Sequence, residues 1–209
     1  MKKISILTTI AVFLGSLVIP AWAGDHHGTA PHAGKWAWTA YTSCIQSDYG
    51  FDGTFTPLCP GGSCLPPTTY TSSQQGVSIS DGWGHATVHG SGVFTQTSPP
   101  QYAYSTDFSF QTTTSIAPDG TITRSMVPNS LTGTILTGPY AGLTLTQDLW
   151  SPVSVRVSDD GKTQTATTIA PVVETITLNL PAGPFNIYQI CNVSQVLIRL
   201  GDVEWEQNN

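Results

Sequence analysis

The sequence is poor in charge, with seven basic and thirteen acidic side chains among 209 residues and a formal net charge of −6. Cations this sparse, adjacent only at Lys2-Lys3, exclude the basic face that nucleic acid or an anionic lipid surface requires. Catalytic signatures are missing too. The chain has no Gly-x-Ser-x-Gly elbow, no His-Glu-x-x-His pair and no glycine-rich phosphate loop. No alternation of strand and helix patterns appears, which excludes a parallel α/β sheet, and no fixed-period repeat marks a solenoid or propeller. An enzyme with a standard acid–base or nucleophile set is therefore not what the residues announce.

What is present begins with an address. Lys2 and Lys3 precede an apolar run from Ile4 to Ile19, and Ala21-Trp22-Ala23 places small side chains at the two positions a signal peptidase reads. The run is short for a bilayer span and polar sequence follows it abruptly, so residues 1–23 read as a cleaved signal peptide. No second spanning run follows, and the expected location is periplasmic or secreted. Residues 24–33 read as a flexible, histidine-rich arm and residues 34–209 as a single domain.

Four cysteines remain beyond the leader: Cys44, Cys59, Cys64 and Cys191. An even count in an exported chain reads as two disulfides, with three pairings possible. Gly61 and Gly62 let Cys59 to Cys64 close on itself, which would leave Cys44 to join Cys191 and tie the first strand to the last. The rival, a zinc knuckle, lacks Cys-x-x-Cys spacing.

The body is punctuated by Gly, Pro and Asp-Gly. Residues 143–149, 153–158 and 174–180 alternate apolar with polar side chains, the period-two signature of half-buried antiparallel strands. Asp119-Gly120 and Asp160-Gly161 mark hairpin turns between such segments. Roughly ten strand candidates at close spacing predict an all-β barrel or sandwich. Phe185 to Leu200 fits either a strand or a helical stripe, and its density of Ile and Val favours strand. Gln46 to Thr71 is a long Gly/Pro/Cys loop, of the kind that a staple or a function explains.

Three constellations are candidates for chemistry. Cleavage after Ala23 would leave Gly24-Asp25-His26 at the terminus. There the α-amine, two backbone amides and the His26 imidazole can set four nitrogens in the plane that Cu(II) or Ni(II) prefers. This resembles the amino-terminal copper and nickel motif of serum albumins. Asp81, His85 and His89 share a strand face, but the outer two would stand about 26 Å apart, too far to share an ion. Tyr102, Tyr104, Phe108 and Phe110 fall on one strand face, and Trp36 and Trp38 on another. Such stripes usually form core, yet in a closed barrel they can also wall a ligand cavity.

Gly34-Lys35-Trp36 opens the first expected strand and Arg199 lies in the last. A Gly-x-Trp on the first strand with a late arginine is similar to the calycin group, lipocalins above all. The resemblance implies an antiparallel up-and-down or calycin-like barrel of roughly 8–10 strands, with Arg199 packed over Trp36 to close the floor. It also implies carriage of a small apolar molecule, or in a few relatives isomerase or cyclase activity.

The expectation is an exported, non-enzymatic binding protein. Its cavity would be walled by Trp36, Trp38, Tyr102, Tyr104, Phe108 and Phe110, with Gly24, Asp25 and His26 available to Cu(II). The alternatives are a cell-surface interaction protein presenting Thr-rich sheet faces, and a barrel enzyme using Tyr102 or His85 as a polar handle on a hydrophobic substrate.

Overall fold

Alternation sorts the side chains into two populations, and the computed structural model, which describes residues 32–62 and 66–202, shows where each goes. In chain order the strands are β1 (Gly34–Ser47), β2 (Thr68–Ser80), β3 (His85–Gln96), β4 (Ala103–Ile116), β5 (Ile122–Met126), β6 (Leu131–Ile135), β7 (Thr144–Gln147), β8 (Val153–Val157), β9 (Thr163–Thr168), β10 (Val173–Leu180) and β11 (Gly183–Gly201). All pair antiparallel. Phe185 to Leu200 is strand, inside β11. The loop expected over Gln46 to Thr71 is shorter, because β1 and β2 reach into it from both sides.

The sheet closes into a ring of eight, as expected of a barrel; the remaining strands come from a wall that divides. β11, β1, β2, β3 and β4 make one continuous wall of long strands. The free edge of β4 then serves two partners, β6 against Thr106–Ser109 and β5 against Thr112–Ile116. The matching edge of β11 does the same, taking β10 along Gly183–Ile190 and β9 along Ser194–Ile198. One tier, β6-β7-β10, closes the upper half, and a second, β5-β8-β9, closes the lower half. The chain crosses between tiers at 127–130, 148–152 and 169–172.

The lower half is filled. Trp36, Trp38, Val88, Met126, Val153, Val155, Ala166 and Leu197 are buried in one cluster. Trp38 reaches across the wall because Gly90 stands two strands away in the same inward row; a Cβ there would lie 2.5 Å from the indole. Trp36 closes the bottom. Its Nε1 donates to the His32 carbonyl at 3.2 Å, and the Arg199 guanidinium lies over its ring, 5.9 Å from the centroid. A buried Arg124 donates to Gln164 Oε1 at 2.7 Å, and burial holds its pKa down to about 10.

Cys44 and Cys191 face each other across β1 and β11 and form the disulfide that ties the first strand to the last. Cys59 is also disulfide-bonded, while Cys64 lies outside the described residues. Disulfide bonding fits an oxidising, extracytoplasmic setting. Among the described residues no helix is long and apolar enough to cross a membrane.

Candidate functional site

Above Trp38 the barrel is not filled. A cavity of about 80 Å³ is lined by Phe94, Tyr104, Phe108, Phe110 and Trp150, among other residues. A smaller one of about 50 Å³ lies beyond it and shares Tyr70, Tyr104, Leu145 and Ile176 as walls. The stacked pair Phe94 and Tyr104, with centroids 5.1 Å apart, runs between the two, and Tyr102 and Tyr140 meet edge-on at the outer cavity. Burial raises the pKa of the Tyr104 phenol, which stays neutral at physiological pH.

The aromatic stripe on β4 is thus brought to the interior. Tyr104, Phe108 and Phe110 line the first cavity, and Tyr102 with Tyr104 lines the second. Trp36 and Trp38 do not border either cavity; they are packed into the filled half below, where the glycine in the Trp38 row admits the ring. Gly24, Asp25 and His26 lie outside the described residues. Among the described residues no group of three or more His, Cys, Asp or Glu is placed to hold a metal ion. Asp81 instead caps the turn before β3, its Oδ1 accepting from the backbone N–H of Trp83 and of His85 at 2.7 and 3.0 Å.

Glutamines join the aromatic stripe at the cavity, and the spacing of the aromatics does not mark them. Gln147, Gln189 and Gln195 all point inward and border the cavity. Two of them carry a network centred on Glu174, itself 2 % exposed. Its Oε2 accepts from Gln147 Nε2 at 2.9 Å and from Gln189 Nε2 at 2.8 Å. Its Oε1 accepts from the backbone N–H and the hydroxyl of Ser151 at 2.8 and 3.0 Å. Tyr70 donates its hydroxyl to Gln189 Oε1, extending the chain of bonds towards the disulfide. Burial lifts Glu174 to about 7 although four donors hold its ionised form, with Asp148 adding repulsion. The network bridges the seam between tiers, since Ser151 belongs to a crossing segment and Glu174 to the start of β10.

A signal for these residues was available. Glu174 falls in phase with Ile176 and Leu178, and Gln195 in phase with Val193 and Leu197. A polar residue on the apolar phase of a strand is buried, and burial requires a partner. Glu174 has four. The Gln195 side chain, in a residue only 7 % exposed, makes no hydrogen bond, and Trp150 holds a fully buried indole N–H with no acceptor. An unpaired buried polar group costs about 1–3 kcal/mol. The interior therefore contains hydrogen-bonding capacity that the chain itself does not use.

No family model, no curated protein and no solved structure matches the chain.

Proposed function

We propose that this chain is a small-molecule binding barrel that holds a compact guest in the cavity above Trp38. The observation that carries this reading is a space walled in part by aromatic rings and bordered by the buried, unpaired indole N–H of Trp150 and by Gln195 and Thr106, whose side chains make no hydrogen bond. Binding sites combine apolar walls with a few placed polar groups, and this interior has both. Its size limits the guest. An engineered cavity of about 150 Å³ admits benzene, so a space of about 80 Å³ suits one small ring at most. The chain would do this work after export, with residues 1–23 as its leader and a periplasmic or secreted destination.

The test is a nuclear magnetic resonance titration of the oxidised protein with single-ring neutral compounds. Saturable shifts are expected at the inward methyls of Leu145, Ile176 and Val193. If no compound saturates these resonances, or if every response is confined to outward residues, the barrel is not a carrier of small guests.

A further inference from the structure

Cross-strand register places three polar side chains of the cavity on one belt. Thr106 faces Gly92, Gly92 faces Gln74, Gln74 faces Ala40, and Ala40 faces Gln195. Glycine and alanine separate the polar members, so nothing bulky stands between one amide and the next. Below the belt lies the Trp38 row, and above it the Phe94 and Tyr104 row. The belt is therefore one polar band of the chamber, set between rows that carry aromatic rings and apart from Gln147 and Gln189.

The three members differ in what they have left to give. Gln74 Nε2 donates to Ser72 Oγ at 2.8 Å and to Thr42 Oγ1 at 3.3 Å, which leaves its Oε1 as a free acceptor. The Gln195 side-chain amide is unbonded at both ends, so it offers two N–H donors and a carbonyl acceptor in a single plane, one of each along its edge. Thr106, 2 % exposed, is also unbonded and can serve either way. A primary amide presenting both functions side by side is complementary to another amide edge, with N–H against carbonyl and carbonyl against N–H.

Charge narrows the guest further. No ionised group borders the cavity: Glu174 stands behind Gln147 and Gln189, and the phenols of Tyr70 and Tyr104 are held neutral by burial. A charged guest would be stripped of water and left unpaired. The flat faces of Phe94, Tyr104, Phe108 and Phe110 favour a ring. We propose that Gln195, with Gln74 and Thr106, recognises the amide edge of a small, neutral cyclic amide, a lactam of one ring. This assignment rests on the small-molecule reading above and specifies its ligand class.

A matched probe series separates the two claims. Cyclopentane, cyclopentanone and 2-pyrrolidinone share a five-membered ring and differ only in their polar edge. Titrated into the full, oxidised chain, 2-pyrrolidinone should bind about tenfold or more tightly than cyclopentanone, because a site built for a donor–acceptor pair rejects an analogue lacking one half. The Gln195 side-chain amide resonances should move on binding. Gln195→Leu should bring the two affinities within about twofold while cyclopentane still enters. Equal affinity across the series in the native protein overturns amide recognition and leaves the small-guest reading standing. A preference that survives in Gln195→Leu also overturns it. Should Gln195→Leu fail to fold, Thr106→Val provides the second variant, expected to lower the lactam preference without abolishing cyclopentane entry. If none of the three probes saturates, the small-guest reading falls and this one falls with it.

Discussion

The two halves of the barrel share five strands and differ in almost everything else. Below, Trp36 and Trp38 fill the interior and Arg199 covers the end. Above, side chains of similar bulk stand around the wall, and the space between them stays open. The difference does not lie in hydrophobicity, because aromatic rings are plentiful in both halves. It lies in what faces the rings. The Trp38 row contains Gly90, whose missing side chain makes room for the indole two strands away. The upper rows replace that single large insertion with glutamine, threonine and tyrosine; Tyr70, Gln189 and Gln147 are bonded along the wall through Glu174, and Gln195 and Thr106 make no side-chain hydrogen bond. A hollow interior here comes from polar residues placed on the inward phase.

The strongest way to break this contrast is to hollow out the lower half. Trp38→Ala should destabilise the protein by about 3–5 kcal/mol, since Gly90, which accommodates the indole, has no side chain to fill its space. Denaturant unfolding measures this, and a loss under about 1 kcal/mol would show that the lower half does not depend on the indole. Next in size is the staple. Replacing both Cys44 and Cys191 by serine should cost about 3 kcal/mol, by freeing an unfolded chain whose bonded residues are 147 apart.

Acidity sharpens the comparison, because Glu174 belongs to the upper half alone. Folding raises its pKa from 4.5 to about 7, so the folded protein holds that proton more tightly than the unfolded chain does. The advantage of wild type over Glu174→Gln should then be greatest below pH 4.5, shrink as pH rises to about 7, and stay level above that. Its full span is as much as about 3 kcal/mol. Unfolding curves for both proteins across this range decide it, and a difference that grows with pH would reverse the assignment. The smallest effects compare two buried threonines. Thr112, packed in the lower half with an unbonded hydroxyl, should gain about 1 kcal/mol on change to valine. Thr106→Val should stay within about 0.5 kcal/mol, because its hydroxyl borders a space that water can enter. Equal shifts at the two positions would mean that the upper cavity is closed to water.

Much of this fold was legible in the sequence, and the illegible part has a physical cause. The alternations at 143–149, 153–158 and 174–180 became β7, β8 and β10, and Tyr102 to Phe110 turned one face inward as its even spacing required. The Cys44–Cys191 bond is one of the three pairings the cysteine count allowed, the one left if Cys59 closes on Cys64. The divided wall could not be read, because period-two patterning fixes which face a residue takes and carries no information about which strand lies beside it. Nothing in Thr106–Ile116 says that one half of that edge meets β6 and the other β5. The candidate site was half visible: its aromatic members stand out by type, whereas Glu174 and Gln195 stand out only by phase.

The pairing of β1 with β11 has a consequence for the chain as it is made. β1 finds β2 and then β3 and β4 within the first half of the molecule, but its other edge must wait until the last strand is synthesised. Through that interval it presents an unsatisfied ladder to any neighbouring chain and a thiol at Cys44 whose proper mate does not yet exist. Cys59 and Cys64 arrive first, only a loop away. Cys44 thus meets two nearer cysteines before Cys191 is available, and a non-native pairing formed in that interval would have to be exchanged before the ring could close.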